Sequence, residues 1–147
     1  MLRTFLILLI STACSYADTI DHYMNIVSNI PQMEMKADPQ SQAWARSART
    51  VLTLTCESIA ETLLLSNETA KQLGAPLFCL PHTVQLDGAT LSELIQQTYR
   101  EISSQQSDKD KMTVSQVALM GLKRTYPCQP DANAKKQMTS VSALPVH

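Results

Sequence analysis

Apolar residues recur at spacings of three and four along most of this chain, β-branched runs are few and glycine is scarce, a pattern that predicts helices rather than strands. The expected fold is all-α, a small helical bundle. A first helix is expected from Asp18 to about Ile30, with Ile20, Tyr23, Met24, Val27 and Ile30 on one face and Pro31 as its stop. Residues 31–39 then read as a linker. Trp44, Ala48, Leu52, Cys56, Ile59 and Leu63 form the next stripe, so a long amphipathic helix should run from about Gln40 to Leu65 with Cys56 on its buried face. Ser66-Asn67 interrupts that pattern. A short helix to Leu73 would then end at Gly74, a favourable left-handed C-cap, with Pro76 two residues on. Ala75 to Gly88 is the one long stretch without periodicity.

Two helices with strong start signals follow. Thr90-Leu91-Ser92-Glu93 has the form of a capping box, and Leu91, Leu94, Ile95, Thr98 and Ile102 continue on one face. Thr113-Val114-Ser115-Gln116 is a second box, flanked by Met112 and Val117 at the positions of a hydrophobic staple. Val114, Val117, Ala118, Gly121 and Thr125 define its inner face, with Leu122 and Tyr126 beside it, until Pro127 ends the helix. The polar segment Ser103 to Lys111, with its mixed-charge run Asp108-Lys109-Asp110-Lys111, makes the pair a helix hairpin with an exposed tip. From Gln129 to His147 periodicity fails and the tail reads as disordered.

The N-terminus has another purpose. Met1-Leu2-Arg3, the apolar run Phe5 to Ile10 and small residues at Ser15 and Ala17 have the order of a secretory signal peptide, residues 1–17, cleaved after Ala17. The run is too short for a bilayer, which takes about twenty apolar residues. Ser11-Thr12-Ala13-Cys14 is the rival, a lipoprotein box ranked second because Ser11 replaces the large aliphatic residue such boxes prefer. The expected organisation is therefore a signal peptide, a helical domain over 18–128 and a tail over 129–147, in a chain destined for export.

Composition narrows the chemistry. The 147 residues carry twelve Lys+Arg against thirteen Asp+Glu, a formal charge of -1. No global positive field exists to hold nucleic acid or anionic lipid. Three glycines and no phosphate-loop motif argue against nucleotide chemistry. Asn67-Glu68-Thr69 matches a glycosylation acceptor, a match too common by chance to carry weight.

Three of the four cysteines survive removal of the signal: Cys56, Cys79 and Cys128. In an antiparallel hairpin the residues before the first helix and after the second lie at the same end, so Cys79–Cys128 is the expected disulfide, a staple on the C-terminal hairpin. Cys56–Cys79 and a dimer linked through Cys128 are the alternatives. Cys79 and His82 are the candidate nucleophile and base, but a bridged Cys79 has no thiolate, and a disulfide cysteine beside an exposed histidine is the preferred reading. Met33 and Met35 with His22 suggest a Cu(I) cluster, against which stands ordinary packing. Glu57 and Glu61, four residues apart, offer a carboxylate pair with nothing converging on it. No catalytic order and no cofactor requirement emerge.

The non-periodic segment carries a resemblance. Phe78-Cys79-Leu80-Pro81, then the Leu91 to Ile102 helix, a polar gap, and Ala118-Leu119 to Tyr126-Pro127-Cys128 resemble the Tai family, type VI secretion amidase immunity proteins also grouped as resistance-associated proteins. The resemblance spans roughly Val51 to Cys128. Many members carry a Gly-Tyr-Ile-type stretch after the cysteine of the long helix, where this chain has Cys56-Glu57-Ser58-Ile59-Ala60. The resemblance implies a periplasmic helical protein, often a homodimer, that performs no reaction and occludes the active-site cleft of a cognate peptidoglycan amidase. The hairpin tip and the loop Pro81 to Gly88 are the rigid protrusions available for that task. The partner-binding candidates are Gln105, Gln106, Asp108 and Asp110 on the tip, and His82 and Gln85 on the loop. The alternative function is a periplasmic chaperone that binds unfolded clients.

Overall fold

A computed structural model of the protein describes residues 19–102 and 108–128. Within them lie four α-helices: α1 Ile20–Glu34, α2 Pro39–Gln72, α3 Gly88–Glu101 and α4 Val114–Thr125, with a 3-10 turn at Lys109–Lys111 before α4. The fold is all-α. The expected signal peptide, the tail over 129–147, and Gln105 and Gln106 lie outside the described residues.

The long helix α2 is the spine. α1 and α3 pack along it, α4 packs on α3, and α1 reaches the turn before α4. There the Ile20 N–H donates to the Met112 carbonyl at 2.8 Å, and Thr19 and Thr113 form an isolated antiparallel bridge. Tyr23, Phe78, Leu91, Ile95, Val117 and Leu122 are wholly buried between the helices.

Several local expectations yield to tertiary context. Pro31 does not stop α1, which continues to Glu34. A proline inside a helix forfeits one backbone bond and costs about 3 kcal/mol. Here only one turn follows it, the Met35 N–H returns to the Pro31 carbonyl at 3.2 Å, and Glu34 is ion-paired with Arg49 of α2.

Nor does Ser66-Asn67 break α2. The Ser66 hydroxyl donates to the Thr62 carbonyl within the helix at 2.8 Å, and the Asn67 amide turns outward to hold the following loop. The end of α2 does fall where Gly74 requires it. Gly74 has φ +77°, its N–H donates to Lys71 O and the Ala75 N–H to Ala70 O, both at 2.9 Å, the two bonds of a Schellman cap.

The Thr113–Gln116 capping box forms with both reciprocal bonds, at 2.9 and 3.1 Å. The Thr90 box does not. α3 starts earlier, on Asp87, whose carboxylate accepts the Thr90 N–H at 2.8 Å; Thr90 serves as a donor within the first turn. Aspartate is a stronger N-cap than threonine, and starting there adds a turn that reaches α2.

Small residues set the helix spacing. Ala45, Cys56 and Ala60 lie buried on α2, while Trp44, expected on the inner stripe, is 41% exposed. Thr125, expected inward on α4, is also exposed, and Leu122 takes the buried place. At Gly88 a Cβ would stand 2.8 Å from Glu57 Cγ and 3.2 Å from the Thr53 carbonyl. At Gly121 it would collide with the Thr98 hydroxyl and stand 3.0 Å from Leu94 Cγ.

Gly121→Ala should therefore destabilise the fold. Overpacking of this kind costs about 1–3 kcal/mol, against roughly 1 kcal/mol returned by removing a helical glycine. A lower urea midpoint at unchanged slope is the expected reading; a higher midpoint would show that α3 and α4 can separate without loss.

Candidate functional site

The segment between α2 and α3 is irregular because three separate anchors hold it. Asn67 of α2 accepts the Leu77 and Phe78 N–H groups on Oδ1 at 2.7 and 3.1 Å and donates from Nδ2 to the Phe78 carbonyl at 3.0 Å. Phe78 is wholly buried. On the other side the Cys79 N–H donates to the Tyr126 carbonyl at 2.9 Å, and Cys79 is bridged to Cys128 with Cα atoms 5.0 Å apart. The expected disulfide is present, and both alternative pairings are thereby excluded.

Beyond this junction the loop turns at Pro81, whose carbonyl accepts the Val84 N–H at 3.0 Å, and His82 and Gln85 face solvent. Cys79 in its bridge supplies no thiolate, so Cys79 and His82 cannot act as nucleophile and base.

The hairpin tip is tied to α3. The Tyr99 hydroxyl donates to Asp110 at 2.7 Å, and the Lys109 ammonium lies 4.0 Å from the Tyr99 ring centroid, within cation–π range. The hydrogen bond to Asp110 is the main cause that pushes the Tyr99 phenol up to about 12. Asp108 pairs with Lys111 at 3.2 Å, both largely exposed, a contact worth little in water. Asp108 and Asp110 are thus brought together on one turn, each with an internal partner. Sequence reasoning missed Tyr99, whose only signal was an aromatic opposite a mixed-charge run.

A second polar group is interior. The Tyr23 hydroxyl lies 3.3 Å from Cys56 Sγ and 2.9 Å from the Ser92 hydroxyl, linking α1, α2 and α3. Burial is the largest cause raising both the Tyr23 phenol and the Cys56 thiol above their ordinary ranges. Cys56 is a free, buried thiol, protonated at neutral pH and acting as a small apolar residue.

Glu57 and Glu61 are exposed on α2, and the structure adds Asp87 to them. With Ala60, Leu64, Leu65, Leu86 and Gly88 they line a slot of about 380 Å³ between α2 and the start of α3. The Thr90 N–H holds the Asp87 carboxyl below the usual carboxylate range. His22, Met33 and Met35, for which ordinary packing is the preferred reading, do not converge on a copper site: His22 sits in the first turn of α1, about 16 Å of helix from Met33. Among the described residues no three His, Cys, Asp or Glu side chains group to hold a metal, and no helix is long and apolar enough to cross a membrane.

Comparison with family models, curated proteins and solved structures returned no match.

Two outcomes test this geometry. Replacing Cys79 and Cys128 by alanine opens a loop with a sequence separation of 49, which should cost about 4 kcal/mol through the entropy of the unfolded chain; an unchanged guanidinium midpoint would mean that Asn67 and Phe78 suffice. Tyr99 binds its proton more tightly when folded, so its contribution is present below pH about 10 and fades as pH rises through about 12. Asp110→Asn should shift one tyrosine to a lower pH in an alkaline absorbance titration, and an identical curve would remove that hydrogen bond.

Proposed function

We propose that this chain is a periplasmic immunity protein that binds a peptidoglycan amidase delivered by type VI secretion and occludes its active-site cleft. The observation that carries the reading is the junction at Cys79. Phe78-Cys79-Leu80-Pro81 and Tyr126-Pro127-Cys128, the two elements of the Tai resemblance, lie 45 or more positions apart in sequence. In the fold they are one unit, joined by a disulfide and a backbone hydrogen bond.

Physical considerations support the same reading. A structural disulfide suits an oxidising compartment, in keeping with the signal-like N-terminus. An inhibitor gains affinity by presenting a surface that needs no ordering on binding. The loop carrying His82 and Gln85 leaves the junction directly, with the bridge, the Phe78 anchor and the Asp87 cap fixing its ends. The turn with Asp108 and Asp110 is held by Tyr99. Both present acceptors suited to the donors of a cysteine/histidine active site.

The deciding experiment is capture of periplasmic partners with the purified protein, followed by a peptidoglycan amidase assay on the captured material. A stoichiometric amidase silenced by added protein is the expected result. His82→Ala with Gln85→Ala should then weaken binding roughly tenfold at an unchanged melting temperature. A captured amidase that stays active, or only substoichiometric unfolded clients, would overturn the reading and favour the chaperone.

A further inference from the structure

Between α1, α2 and the first half of α3 lies a cavity of about 340 Å³ that opens to solvent, the size of a small-molecule site. Val27 and Ile30 of α1 and Leu52 of α2 give it apolar walls, while Arg49 of α2 and Glu93 of α3 supply one charge of each sign. His82, Gln85, Asp108 and Asp110 take no part in it, so it stands apart from the surfaces assigned to the amidase.

Three of its polar groups have bonding capacity left over. The Arg49 guanidinium carries five N–H donors, and its pair with Glu34 engages one nitrogen. The Glu93 carboxylate is exposed and has no ion pair among the described residues. The third group is created by Pro31. Having no N–H, it leaves the Val27 carbonyl one turn earlier without the donor a helix normally provides, and both residues line the cavity. A carbonyl so placed takes its donor from water or from a ligand. Ser92 and Gln96, also on the wall, already have partners: the Gln96 amide donates to the Ser92 hydroxyl at 3.3 Å, and that hydroxyl bonds Tyr23 at 2.9 Å.

These groups select one class of ligand. A guanidinium recognises a carboxylate, a carboxylate and an unpaired carbonyl together recognise an ammonium, and the aliphatic walls take a short aliphatic side chain. A simple anion would meet Glu93 and a simple cation would meet Arg49, so neither class fits alone. The geometry points to a binding site for a small zwitterion, an aliphatic amino acid or a short peptide of such residues, with its carboxylate on Arg49 and its ammonium on Glu93 and the Val27 carbonyl. The site stands on α1, α2 and α3 and is independent of the amidase reading.

Titration of the protein expressed from its full coding sequence, followed through the NMR shifts of its amide groups, tests the assignment with leucine and with alanyl-alanine as probes. Saturable binding of at least one is expected, with a dissociation constant on the order of 1 mM. Tighter binding of leucine would make the ligand a free amino acid, and tighter binding of the dipeptide a peptide fragment. Acetylating the amine or amidating the carboxylate of the better probe removes one charge and should weaken binding roughly tenfold. Arg49→Gln should do the same, whereas Glu34→Gln, which removes the same exposed ion pair, should not. Pro31→Ala gives the Val27 carbonyl a helical donor, so it should raise the melting temperature and lower the affinity about threefold. No saturable shift with either probe up to about 20 mM, an acetylated or amidated probe that binds as well, equal losses with Arg49→Gln and Glu34→Gln, or an affinity indifferent to Arg49→Gln or Pro31→Ala would each overturn the site.

Discussion

The short segment Leu77–Cys79 has no regular structure of its own, so its backbone groups must find partners elsewhere or remain exposed to water. Asn67 meets the Leu77 and Phe78 groups from α2, the Tyr126 carbonyl meets Cys79 from the end of α4, and the side chain of Phe78 fills the space between. The disulfide to Cys128 makes the second of these anchors covalent. The end of α4 is thereby tied to the loop that leaves α2, in addition to the packing of α3 along α2. The loop that runs on to Gly88 departs from this fixed point.

A second constraint is the closeness of the helices. Alanine and cysteine on the inner face of α2, Gly88 at the start of α3 and Gly121 in α4 leave room only for backbone and short side chains. Close approach buries the Tyr23 hydroxyl, which stays satisfied because Cys56 and Ser92 lie within reach. An unpaired hydroxyl at that depth would cost about 1–3 kcal/mol. Among the large apolar residues of α2 Leu63 is buried and Leu52 and Ile59 are partly covered, while Trp44, Val51, Leu54 and Leu65 stand outside. Trp44, Val51 and Leu54 are exposed for the same geometric reason that Ala45 is buried.

Much of this was legible beforehand. The periodicity of α3 and α4, the Thr113 box, the left-handed cap at Gly74 and the meeting of Cys79 with Cys128 all depend on short-range geometry or on the antiparallel topology of one hairpin. The candidate site was legible only in outline. His82 and Gln85 are exposed on the loop as expected, but the internal partner of Asp110 is an aromatic eleven positions away, and Asp87 joins Glu57 and Glu61 only because α3 starts early and against α2.

Helix type, the Thr113 box, the Gly74 cap and the disulfide could be read from the chain alone, because those interactions join residues within a turn or across a single hairpin. Tertiary structure alone decided whether a weak interruption is an end. Pro31 is carried through by a helix terminus tied to Arg49, and Asn67 remains helical because its amide has a loop ten residues on to hold. It also decided which edge of the α2 stripe faces inward. Periodicity locates an apolar face to within about one residue's rotation, and the final choice between Trp44 and Ala45 is made by how closely the neighbouring helices come, a quantity no local pattern contains.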